Sequence, residues 1–390
     1  MRWPMTVIRA SAVRIAAGSL VLLMLIQACS DAEGVLTATV SGSVVKSVSA
    51  DPIAAAIVSA GNRSTTTGAD GRFVLSGVPL GTLTLRCSAT GFDPFEVGIQ
   101  VTRSGVVRDI ALSPRVEVFE FGDFAVFVPA TVDAVGGVLV ALGGPDTRGF
   151  ATGKSLGAPN IVVEAALDSL GQSLREMAAQ YGLAILGSSV APMPNGAESD
   201  QLLAGALQFV ADSSKRADLP GAPMLLYGLS GGGPQAAGFT ARHPDRVAGL
   251  FLKVPAGVET LTSGSALAVP TFVALAGLDE FIDTAAVSAA FEANRAAGAL
   301  WALGKEPGVP HHFLSKVQRK LTLDWMRTIL DERLDAGTLA DIPETSGWLG
   351  DRASGVAWSW DTYPGDRAHA SWLPSQETAE DWEALIAGGP

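Results

Sequence analysis

The sequence predicts an α/β protein, a doubly wound and mostly parallel sheet, preceded by a small all-β sandwich. Two contrasting textures carry this prediction. From about Val35 to Ser113, glycines punctuate segments in which apolar and polar residues alternate, the pattern of short antiparallel strands with one face buried. From Val116 to about Leu334, runs that are apolar on both phases alternate with amphipathic or alanine-rich stretches. Strands covered on both faces and interleaved with helices make a parallel sheet.

The 390 residues are 48% hydrophobic and 17% charged, enough to bury a large core and to form more than one domain. A net charge of -12 and a pI near 4.8 argue against nucleic acid as a partner, since its phosphates repel a surface without a basic stripe.

In chain order, residues 1–28 come first. They hold Arg2, Arg9 and Arg14, no acidic residue, and then an apolar stretch from Ile15 to Ile26. This is the build of an export signal and is short for a spanning helix. It ends in Leu25, Ile26, Gln27, Ala28 and Cys29, which resembles the lipobox of bacterial lipoproteins. That resemblance implies lipidation of Cys29, with residues 29–35 as a linker and the cell envelope as location. Ser30 after the cysteine fits outer-membrane sorting. An ordinary cleaved signal and a secreted protein is the alternative. Cys87, the other cysteine, is in phase with Leu83 and Leu85 and is expected to face a core.

Candidate strands at 36–45, 55–60, 72–76, 81–89, 95–101 and 106–112 make up the sandwich, placed at residues 36–115. Thr67, Asp70, Gly71, Phe73, the Gly77 to Gly81 turn and the Gly91, Phe92 pair resemble the carboxypeptidase regulatory-like domain, a transthyretin-type fold. The resemblance implies a spacer or folding module and no chemistry of its own.

Residues 116–335 carry apolar runs at 125–130, 137–142, 183–188, 223–229, 247–254, 270–276 and 299–304. The fourth run opens into Gly228, Leu229, Ser230, Gly231 and Gly232, a GxSxG pattern that sets a serine on a strained strand-to-helix turn. A serine hydroxyl needs a base to become a nucleophile and an acid to orient that base. The chain has four histidines. His243 lies in a polar link and His369 in the tail. His311 and His312 follow the last strand, where a loop at the carboxyl edge reaches the serine. His311 is preferred as base, with His312 as the alternative. Asp279 directly follows a buried strand and is the expected acid, with Asp283 in reserve.

The order serine, aspartate, histidine and the GLSGGG turn resemble the α/β-hydrolase superfamily, within it the esterases related to polyhydroxyalkanoate depolymerases and feruloyl esterases. The resemblance implies a serine hydrolase cleaving small-molecule or polymeric carboxylic esters. It also implies an oxyanion hole from the Gly231 N–H and the Gly144 N–H, the latter in a turn where Leu142 replaces the family's usual histidine. A prolyl-oligopeptidase-like peptidase and a non-catalytic envelope binding protein on the same scaffold are the alternatives. Neither a metal nor another cofactor is expected, because the adjacent histidines lack partners at ligand spacing and no lysine follows Gly231 to Gly233 as a phosphate loop requires.

Residues 336–390 hold five of the eight tryptophans and Pro343, Pro364 and Pro374. They are expected to form an irregular appendage, packed on the preceding domain or walling its site.

Overall fold

The structure, a computed structural model, describes residues 36–47, 50–113, 115–129, 134–143, 146–156, 161–189, 196–258, 264–335 and 337–388. The export-signal and lipidation expectations on residues 1–28 and Cys29, and the oxyanion expectation on Gly144, lie outside the described residues.

The first eight strands are β1 (Thr37–Lys46), β2 (Ile57–Ala60), β3 (Arg63–Thr66), β4 (Arg72–Pro79), β5 (Gly81–Ser88), β6 (Phe95–Val101), β7 (Val106–Val107) and β8 (Ile110–Leu112). They form two facing sheets. In one, β1 pairs with β4, β7 and β8; the other runs β3-β2-β5-β6. Inward residues such as Val40, Val44, Val58, Phe73, Leu85 and Ile110 make a core of their own. Cys87 is 2% exposed there, and burial pushes its thiol up to about 11.

The family-like residues have visible work. The buried Thr67 hydroxyl donates to Ile53 O at 2.6 Å and accepts from Ala56 N at 2.9 Å, closing the chain over the core. At Gly71, with φ +70°, a Cβ would lie 2.6 Å from Val44 O, so the turn requires glycine. The strand β3 had no counterpart among the expected ones; its polar RSTT sequence pairs with β2 at the sheet edge.

The second sheet has eight strands: β9 (Val116–Phe121), β10 (Phe124–Pro129), β11 (Gly137–Gly143), β12 (Leu183–Ser188), β13 (Met224–Leu229), β14 (Val247–Lys253), β15 (Thr271–Ala276) and β16 (Trp301–Glu306). Their order is β16-β15-β14-β13-β11-β12-β10-β9. The β9–β10 hairpin is an antiparallel edge and β11 to β16 are parallel. Every residue of β10 to β15 is buried, as the apolar runs required.

Alternate residues enter opposite cores. Leu139, Ile185, Tyr227 and Phe251 join the face covered by α2 (Ile161–Tyr181) and α7 (Lys316–Arg333), reached after the short α1 (Arg148–Thr152). Val140, Leu186, Leu226 and Leu250 join the face covered by α3 (Ala197–Ser214), α4 (Gly233–Arg242) and α6 (Thr284–Ala296), with the one-turn α5 (Gly264–Leu267) between the last two.

The tail is more ordered than expected. After the two-residue pair β17 (Leu334–Asp335) and β18 (Thr338–Leu339), strands β19 (Trp348–Asp351), β20 (Val356–Ser359) and β21 (Ser371–Leu373) form an antiparallel sheet, and α8 (Gln376–Ala387) closes the chain. These strands are too short to show an alternation in sequence. The tail covers the open edge of β16: Ser371 Oγ bonds both Leu303 N and Leu303 O at 3.0 Å, and Trp382 Nε1 donates to Leu303 O at 2.8 Å. An edge strand left bare would offer those groups to another chain.

Candidate active site

Strand β13 sits at the centre of the sheet, where the connections switch direction, and its carboxyl end is the expected place for a site in such a fold. There the chain turns into a 3-10 turn, Ser230–Gly232, that leads straight into α4. Ser230 has φ +52°, a left-handed conformation that costs a residue with a Cβ about 1–2 kcal/mol. The surroundings hold it there. Ala256 N donates to Ser230 O at 3.0 Å. A Cβ at Gly228 would lie 2.8 Å from Leu252 Cδ2, and one at Gly232 only 2.2 Å from the Leu142 carbonyl carbon. The end of β11 therefore lies directly against the serine turn, and only glycine permits that approach. The turn also begins a helix whose first N–H groups have no partner within the helix.

Two loops bring ionisable groups to this serine. His311, on the loop after β16, is 4% exposed. Its Nε2 lies 2.9 Å from Ser230 Oγ, and its Nδ1 lies 2.7 Å from Asp279 Oδ2. Asp279, on the loop after β15, has a fully buried side chain, and its Oδ1 accepts from Phe281 N at 2.9 Å and Ile282 N at 3.2 Å. Two backbone bonds tie the loops together, Gly277 N to Glu306 O at 2.7 Å and Leu278 N to Val309 O at 2.9 Å.

The electrostatics follow from burial and partners. Burial raises the Asp279 carboxyl, but the N–H of Phe281, the bond to His311 and the N–H of Ile282 outweigh it and hold the group below its ordinary value. For His311 burial wins: it lowers the imidazole against the pull of Asp279, and the neighbouring His312 and Lys253 add to the lowering. A neutral imidazole can accept a proton.

The other candidates are placed elsewhere. His312 is exposed and meets the His311 ring edge-on at 4.8 Å. Asp283 caps α6, accepting from Ala285 N and Ala286 N at 3.1 and 3.0 Å. His243 bonds Asp200 and His369 bonds Glu292, each at 2.9 Å. Exposed Phe281 stands at the rim, its ring 5.1 Å from both His311 and His312. Among the described residues, no group of three or more His, Cys, Asp or Glu could hold a metal ion.

One residue beside the site went unnoticed in the sequence. Lys253 ends β14 and is 2% exposed; its signal was a single charge in the otherwise apolar run VAGLFLKV.

Residues 39–113 match the family model of the carboxypeptidase regulatory-like domain. The sandwich is a carboxypeptidase regulatory-like domain. The domain that follows has the α/β-hydrolase fold, with a mostly parallel sheet and the serine turn after its central strand. Among solved structures, an alpha/beta hydrolase enzyme from a Medee basin deep-sea metagenome library is 14% identical, covering 56% of this chain and 98% of its own, with a TM-score of 0.38. A predicted CIB-like hydrolase from Thermoplasma acidophilum is 17% identical over 55% of this chain and 97% of its own, with a TM-score of 0.36. An esterase from Rhizomucor miehei is 14% identical over 56% and 82%, with a TM-score of 0.37. No curated protein matches the chain in sequence.

Proposed function

We propose that the protein is a serine hydrolase that cleaves carboxylic esters through an acyl-enzyme. The observation that carries this reading is the unbroken relay Ser230 Oγ, His311 Nε2, His311 Nδ1, Asp279 Oδ2, with steps of 2.9 and 2.7 Å. A serine held at φ +52° at the end of a central strand serves packing poorly and exposes a nucleophile well.

In this reading Ser230 Oγ attacks the ester carbonyl carbon while its proton passes to His311 Nε2. The carbonyl oxygen becomes an oxyanion, met by the N–H of Gly231, the residue after the nucleophile. Asp279 holds the imidazole in the tautomer with Nδ1 protonated and stabilises the imidazolium that forms. His311 then gives its proton to the leaving alkoxide, and the alcohol departs. Water repeats the attack on the acyl-serine with His311 again as base, and Ser230 is regenerated. Preorganised oxyanion donors contribute roughly 3–4 kcal/mol each in such reactions.

We propose further that the protein is exported and held at the cell envelope through lipid on Cys29. Arg2, Arg9, Arg14, the apolar stretch and the lipobox-like sequence support this. Turnover of a p-nitrophenyl ester by the wild-type protein and by Ser230→Ala tests the chemistry. Hydrolysis should fall by on the order of 10⁶-fold in kcat in the variant with the fold intact; equal turnover in both sinks the reading. Peptide substrates run in parallel separate an esterase from a peptidase.

A further inference from the structure

A lysine inside a protein core carries a large desolvation cost and stays charged only where partners compensate it. Lys253 is such a lysine. Its Nζ donates to the carbonyl oxygen of His311 at 3.2 Å, so it grips the backbone of the residue whose ring faces Ser230. The charged and titratable groups facing it come from two other elements and the loops beyond them: Asp279 after β15, Glu306 at the end of β16, and His311 itself. Glu306 is 3% exposed. It faces Ser315, the N-cap of α7, and its Oε2 has no hydrogen-bond partner among the described residues. The loop from Pro307 to Leu314 is thus held at its start by the backbone bonds to Gly277 and Leu278, and in its middle by Lys253.

We propose that Lys253 is a positioning residue for the triad: it holds the His311 backbone so that the imidazole bridges Ser230 Oγ and Asp279. The inference rests on the proposed role of His311 as base. Burial brings the ammonium down to about 8 against the attraction of Asp279 and Glu306. Glu306 is pushed up by burial against Ser315 and the attraction of Lys253. Both groups are strained toward neutrality, a cost that packing alone does not require. A positive charge behind the ring also opposes a second one on it, which favours the imidazole that can accept a proton.

The test uses Lys253→Met and the double variant Lys253→Met/Glu306→Gln, which leaves no buried carboxylate uncompensated if the single variant fails to fold. Two readouts are taken on folded protein. The first is steady-state ester hydrolysis, where kcat should fall about 10- to 100-fold with KM within about twofold, as for displaced catalytic groups. The second needs no turnover: the His311 ring titration, followed by NMR in the Ser230→Ala background, should move to higher pH when Lys253 is replaced. An unmoved titration overturns the proposal, and so does a moved one with kcat within about threefold of wild type, because removing a nearby positive charge raises the ring's proton affinity even where the lysine does not position it. Should the wild-type protein fail to hydrolyse any ester, the functional reading falls, and the NMR signal of the His311 Nδ1–H bonded to Asp279 then decides whether Lys253 holds the ring: its loss in Lys253→Met supports the proposal and an unchanged signal overturns it.

Discussion

At neutral pH His311 is uncharged, because burial outweighs the attraction of Asp279 and lowers its proton affinity. The sign of the pH dependence follows. In its proposed role as base His311 works only when neutral, so kcat/KM should hold level through neutrality and fall only as pH drops through a midpoint below the ordinary 6.5 of histidine. A pH profile of kcat/KM with its acid limb centred above 6.5 contradicts this. Replacing Asp279 with asparagine should cut kcat by on the order of 10⁴-fold, because the ring loses its orienting acceptor at 2.7 Å. His312→Ala should leave kcat within about threefold, as its ring is exposed and stands outside the relay of Ser230, His311 and Asp279. Ser230 and Asp279 were legible in sequence because strand ends fix them within a residue or two. The choice between His311 and His312 depended on the path of a loop closed by long-range bonds to Leu278 and Lys253, which no local pattern records. Lys253 was visible as an anomaly, yet its partner is a backbone carbonyl 58 positions away.

Among the elements, the strands buried on both faces announced themselves, since a run apolar on both phases has few other uses in a chain of this composition. The β19 to β21 sheet did not, because its strands run to three or four residues and its order comes from tryptophans finding partners across the fold. Trp382 is fully buried against the β16 edge. Trp382→Ala should therefore lower unfolding free energy by about 3–5 kcal/mol, read by denaturant titration; a loss under about 1 kcal/mol denies the tail its role in covering that edge. The Asp283 carboxylate, expected as a reserve acid, caps α6. Asp283→Ala should cost about 1 kcal/mol of stability and leave the pH profile unchanged, in contrast to Asp279.

On the scale of the whole molecule the sandwich has its own core, separate from the two cores flanking the large sheet. A chain beginning at residue 115 should keep kcat/KM within about threefold, since the relay residues all lie beyond it; a loss of more than tenfold would give the carboxypeptidase regulatory-like domain a part in the chemistry. Between the sandwich and the large sheet, hydrophobic periodicity changes from alternation to continuous runs. How the tail lies was not legible in sequence, since the residues that dock it are spread over β16, α6 and α7. Cys29→Ser should abolish incorporation of labelled palmitate in a Gram-negative host, and retained label refutes the proposed anchor. The central claim, that Ser230 is an activated nucleophile, is tested most directly by intact-mass analysis after treatment with a fluorophosphonate. The account predicts one adduct on the wild-type protein, mapped to the peptide carrying Ser230, and none on folded Ser230→Ala. An unlabelled wild-type protein, or an adduct that persists in the variant, contradicts it.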